Sequence, residues 1–106
     1  MTRQDDDGGP FEAIDSKLTI YALANSMDLV KEPSRRRLTW YEDGRERGVL
    51  IDAPENDVYR IRVGAWKVGA QEPLATEPLT RIAGTQQLLD RLSEVVEEGR
   101  SRASEL

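Results

Sequence analysis

The strongest pattern lies in the middle of the chain, where apolar and polar residues alternate with the period of a β-strand. This alternation predicts a strand over 58–68. The aromatic and β-branched residues of 37–41 predict a second strand, and the apolar run Val49-Leu50-Ile51 predicts a third over 47–52. Asp43-Gly44 is typical of the tight turn in a hairpin, because these residues tolerate positive φ angles. The stretch 53–57 predicts a second turn. The middle of the chain therefore predicts an antiparallel meander.

Apolar residues at helical spacing lie on both sides of the meander. An apolar stripe predicts one helix over 11–30, and a second stripe predicts another over 86–98. Within the first, Thr19-Ile20-Tyr21 is β-branched and aromatic, which leaves a strand open as an alternative at that point. Gly99 predicts the end of the second helix.

This order of elements predicts the α+β class. We expect an antiparallel meander of three or four strands, with an N-terminal and a C-terminal helix packed on one face. The number of strands depends on the stretch 69–84, whose sequence fits either a loop or a fourth strand. The polar, acidic residues 1–10 predict a disordered leader, 11–99 a single domain and 100–106 a frayed tail. The sheet face away from the helices is then left to solvent or to a partner.

The residue types that are missing from the sequence narrow the chemistry. The 106 residues include no cysteine and no histidine, which excludes disulfides, thiolate nucleophiles, cysteine-based zinc sites and the commonest general base. Carboxylate catalysis is the enzymatic alternative that remains, but acidic residues in hairpin turns are typical of turn geometry. We therefore expect a protein that is not an enzyme and that has no cofactor and no metal site.

No apolar run approaches the roughly 20 residues that a helix needs to cross a bilayer. The acidic start of the chain does not resemble a signal peptide. These features predict a cytoplasmic protein.

The charge is distributed unevenly along the chain. The net charge is −5, yet residues 31–67 carry nine basic and seven acidic side chains, a net of +2. An acidic protein is a poor non-specific ligand for nucleic acid, because phosphate neutralisation supplies most of that affinity. The basic middle of the chain, which is also the predicted sheet, is therefore where we expect a binding surface.

A protein–protein interface on the exposed sheet face is the favoured hypothesis. Tyrosine, tryptophan and arginine are the residue types most enriched in binding hot spots. Large rings on an open face would bind a partner protein or a second copy of this chain, so a homodimer is the simplest form. The candidate partner-binding residues are Tyr41, Arg60, Arg62 and Trp66.

The alternative hypothesis is a nucleic-acid-binding module on the same strands. Arginines beside aromatic rings could bind phosphates while the rings stack on bases. The candidate nucleic-acid contacts are Arg35, Arg36, Arg37, Arg47 and Lys67. Acidic residues are interleaved with these cations, which favours cross-strand ion pairs on a solvated face over phosphate binding.

The order helix, three strands, helix resembles that of the double-stranded RNA-binding domain. That family contacts RNA phosphates through a lysine-rich start of its last helix. Here the corresponding stretch, Thr85-Gln86-Gln87-Leu88-Leu89-Asp90, has no lysine. The resemblance in the order of elements therefore does not imply RNA binding.

Overall fold

The computed structural model describes residues 9–106, so most of the predicted leader lies outside the described residues. None of the helices within this range is long and apolar enough to cross a membrane. After a 3-10 turn at Gly9–Phe11, the elements are α1 Glu12–Ala24, β1 Asp28–Glu32, β2 Arg35–Glu42, β3 Arg45–Asp52, β4 Val58–Trp66, β5 Ala75–Ala83, α2 Thr85–Asp90 and α3 Leu92–Ala103.

The five strands form one sheet in the order β1-β2-β3-β4-β5, and each strand is antiparallel to the next. The predicted α+β class and antiparallel meander are confirmed, with five strands rather than three or four. Asp43 and Gly44 form the β2–β3 turn with φ angles of 54° and 75°, as the Asp-Gly pair predicts. The stretch 69–84 does contain a strand, β5, which lies at the edge of the sheet and includes Pro78.

Both terminal helical regions cover the same face of the sheet, as predicted. Helix α3 packs on β3 and β4, while α1 packs on β1 and on α2. The core lies between these helices and the sheet. Its largest fully buried members are Phe11, Ile14, Leu18, Leu38, Ile51, Tyr59, Ile61 and Leu88.

The first helix is shorter than predicted. It ends at Ala24, where the Asn25 backbone N–H donates to the carbonyl oxygens of Tyr21 and Ala22. Ser26 then adopts a left-handed conformation with φ of 57°, and residues 28–32 form β1. The predicted helix over 11–30 is therefore wrong at its C-terminal end, since its last residues belong to a strand.

The C-terminal helix is broken at Arg91 and continues past Gly99. Gly99 is buried, and a Cβ atom on it would lie 2.6 Å from Val49 Cγ2. This glycine therefore permits close approach of α3 to β3, and the predicted helix end there is wrong. Ala103, predicted as part of a frayed tail, is a buried residue of α3.

Candidate functional site

The face of the sheet away from the helices, called the outer face below, carries the residues that the sequence singled out. Strand β4 shows the alternation: Tyr59, Ile61 and Val63 are buried in the core under the helices. The residues between them point the opposite way. The predicted partner-binding residues all lie on this outer face: Tyr41, Arg60, Arg62 and Trp66.

Trp66 is on the outer face but is not exposed. Its exposed fraction is 0 %, and its ring lies across the neighbouring glycines of β3 and β4. A Cβ atom would lie 2.8 Å from the ring at Gly64 and 3.2 Å from it at Gly48. The Arg37 guanidinium covers the ring at 4.6 Å from its centroid. The expectation of an open tryptophan ring is therefore wrong, and Trp66 is a packing residue of this face.

Arg37 is equally removed from solvent. It is 6 % exposed, and its Nη2 lies 4.0 Å from Glu46 Oε2. Among the described residues, its Nε and Nη1 atoms have no hydrogen-bond acceptor. Because the guanidinium lies over Trp66 and beside the buried Glu46, its contacts are structural, and it offers no free cation to a phosphate.

The other cations predicted to bind nucleic acid lie in different places. Arg36 and Arg47 point to the helix side: Arg36 binds Asp15 of α1, and Arg47 Nε donates to the Ala103 carbonyl at the end of α3. Arg35 is paired with Glu32 on β1. Lys67 is exposed in the loop after β4. The structure therefore does not bring these cations together on one face. That they contact nucleic acid stays a prediction.

Arg62 is also engaged within the chain. Its Nε and Nη2 donate to the two carboxylate oxygens of Asp52 at 3.0 and 2.7 Å. Such a bidentate pair satisfies both groups. Tyr41, in contrast, is 61 % exposed at the other end of the outer face. That these residues bind a partner stays a prediction.

Arg60 and Arg81 are two neighbouring cations of the outer face. They lie directly opposite each other on β4 and β5, and both are exposed. Among the described residues, neither makes an ion pair. Like charges opposite each other on neighbouring strands destabilise a sheet. Arg81 was missed in the sequence, because only the β4–β5 register places it beside Arg60.

An open cleft of about 510 Å³ lies at this end of the sheet. The turn that forms its rim is held by the Gly84 backbone N–H, which donates to the Asp57 carbonyl at 2.8 Å. The lining includes two cations and two acids, and an anionic group of a ligand would bind at the two arginines. The lining residues are Ser34, Asp52, Ala53, Glu55, Asn56, Val58, Arg60 and Arg81.

Acidic side chains within residues 9–106 do not form a group of three that could hold a metal ion. No protein-family model, no curated protein and no solved structure matches this chain. A functional assignment therefore rests on the chemistry of the described residues.

Proposed function

We propose that the protein is a non-catalytic binding module that holds an acidic segment of a partner protein at Arg60 and Arg81. The observation that carries this proposal is the pair itself, two exposed arginines directly opposite each other on β4 and β5 that make no ion pair among the described residues. A carboxylate between them would relieve their repulsion, and arginine binds carboxylates through two parallel hydrogen bonds. We place this function in the cytoplasm, as the sequence predicts.

Binding is favoured over catalysis by the state of the acids in the cleft. Catalytic carboxylates work as a pair whose pKa values are pushed apart by a closed, apolar surrounding. Here Asp52 is bound to Arg62 and Glu55 is exposed on an open rim. Neither of these two acids has the surroundings that a general acid needs.

An acidic protein segment is favoured over nucleic acid by the same cleft. Asp52 and Glu55 would repel the continuous charge of a phosphate backbone. Base stacking needs an accessible ring close to the bound phosphates. Trp66 is buried, and the exposed Tyr41 lies at the other end of the outer face. A protein segment can place one or two carboxylates at the arginines and leave uncharged side chains beside the acids.

Replacing both arginines with glutamine should weaken the binding of a short acetylated peptide, which carries two glutamates among uncharged residues, at least tenfold. Each charge-assisted hydrogen bond contributes about 1.5–3 kcal/mol, and tenfold corresponds to about 1.4 kcal/mol. Fluorescence anisotropy with the labelled peptide measures the dissociation constant for Arg60→Gln, Arg81→Gln and the double variant. Raising the salt concentration should weaken binding further, because the Debye length falls from about 10 Å at 0.1 M to about 3 Å at 1 M.

Lys67→Gln is the matched control, because it removes one exposed positive charge at the opposite end of β4. It should leave the peptide affinity unchanged. An equal loss in this control, or no binding by the wild-type protein, would contradict the proposal. If oligothymidylate binds more tightly than the acidic peptide through the same two arginines, the ligand is nucleic acid and not a protein segment.

A further inference from the structure

Helix α1 carries large apolar residues on two sides, and only one of these sides is buried in the core. Ile14, Leu18 and Ala22 are buried against the core. On the opposite side, Ile20 is 63 % exposed and Leu23 is 78 % exposed. A helix with a single packing partner carries polar residues on its far side, and a helix that is apolar all round packs against partners on both. Ile20 and Leu23 therefore form an exposed apolar ridge on α1 that a further partner can cover.

A groove of about 520 Å³ lies beside this apolar ridge, between α1 and the start of the C-terminal helical region. Ile20 forms part of its wall, and Leu23 stands one turn further along α1. When two identical subunits meet around a two-fold axis, the ridge of each can enter the groove of the other. The groove residues are Lys17, Ile20, Tyr21, Ala24, Gln86, Leu89, Asp90, Leu92 and Ser93.

The charges in the groove of one copy are also complementary to those in the groove of a second copy. Lys17 lies on α1 and Asp90 on α2, and within residues 9–106 neither belongs to an ion pair. A two-fold contact that places Lys17 of one copy at Asp90 of the other forms two such pairs by symmetry. A groove lined by charges of one sign would repel its own copy.

We infer that the α1 groove is the contact surface of a homodimer, with a second copy of this chain as its occupant. Ile20 and Leu23 of each copy enter the groove of the other, and Lys17 pairs with Asp90 across the two-fold axis. This contact lies on the helix side of the molecule. It therefore leaves the outer face free, and the dimer presents two Arg60–Arg81 clefts. The inference does not depend on what those clefts bind.

Sedimentation velocity over a range of protein concentrations tests the dimer. We expect the weight-average mass to rise from 12.0 kDa toward about twice that value. Leu23→Glu should raise the dissociation constant at least tenfold, because it places a charge in the apolar contact. Val68→Glu is the matched control, since Val68 is an apolar residue that is 58 % exposed in the loop after β4. This control should leave the association unchanged.

A charge exchange tests the predicted register of the two copies. Lys17→Glu should weaken the dimer, and adding Asp90→Lys to it should restore the wild-type dissociation constant. Both positions lie at the surface groove, so circular dichroism should show an unchanged fold. The inference is overturned by a constant mass of one chain up to about 1 mM protein, by equal effects of Leu23→Glu and Val68→Glu, or by failure of the double exchange to restore association.

Discussion

Replacing Trp66 with alanine is expected to lower the free energy of unfolding by about 3–5 kcal/mol, the range for truncating a large buried aromatic residue. Trp66 is fully buried on the outer face, where its ring lies between the backbone of Gly48 and Gly64 and the Arg37 guanidinium. Truncation removes these contacts and leaves the buried Arg37 charge without its aromatic cover. Urea unfolding followed by circular dichroism measures the change.

Two variants show whether burial causes this loss. Trp66→Phe keeps a smaller aromatic ring under Arg37, and the indole N–H that it removes has no acceptor among the described residues. It should therefore cost less than half as much as the alanine variant. Tyr41→Ala removes an aromatic ring that is 61 % exposed on the same face, and should change stability by only about 0.5–1 kcal/mol. Equal losses for Trp66→Ala and Tyr41→Ala would contradict the burial of Trp66.

Replacing Arg36 with methionine is expected to cost about 2–3 kcal/mol. Its Nε and Nη2 donate to the Asp15 carboxylate at 2.8 and 3.0 Å, and its Nη1 donates to the Glu32 carbonyl at 2.7 Å. The guanidinium also lies 4.2 Å from the centroid of the Phe11 ring. Methionine preserves most of the packing of the aliphatic part of Arg36, but it leaves the Asp15 carboxylate without its cation. This loss is costly because the Asp15 side chain is only 14 % exposed.

A double-mutant cycle separates this ion pair from the packing. If the loss comes from the carboxylate left behind, Asp15→Asn combined with Arg36→Met should cost less than the sum of the two single changes. Additive losses would contradict a coupled pair. Arg62→Met is the comparison, because the Arg62 and Asp52 side chains are 28 % and 23 % exposed. Water can replace the lost partner there, so we expect a cost of about 1 kcal/mol or less.

Local patterns in the sequence were sufficient for most of the fold. Alternation identified β4, while aromatic, β-branched and apolar residues identified β2 and β3, and Asp43-Gly44 identified the hairpin between these two. Strand β1 was missed because Leu29 and Val30 continue the apolar spacing of α1. The break between them is a left-handed Ser26, and serine carries no strong signal for that conformation.

The candidate site depends more on contacts between distant residues, and less of it could be predicted. Alternation places Arg60 and Arg62 on the outer face correctly, but it does not show that Asp52 neutralises only Arg62. The role of Arg81 requires the β4–β5 register, which a bulge shifts by one residue. Trp66 is buried because glycines on two strands leave room for its ring, and no local pattern reports that arrangement.

A titration of the ¹⁵N-labelled protein with the acidic peptide, followed by nuclear magnetic resonance, tests most directly where the partner binds. We expect the backbone amide signals of Asn56, Arg60 and Arg81 to shift together with one dissociation constant, while those of α1 stay unchanged. Arg60→Gln with Arg81→Gln should remove these shifts. Shifts centred on the groove of Ile20 and Leu89, or no shifts at saturating peptide, would contradict a binding site for acidic segments on the outer face.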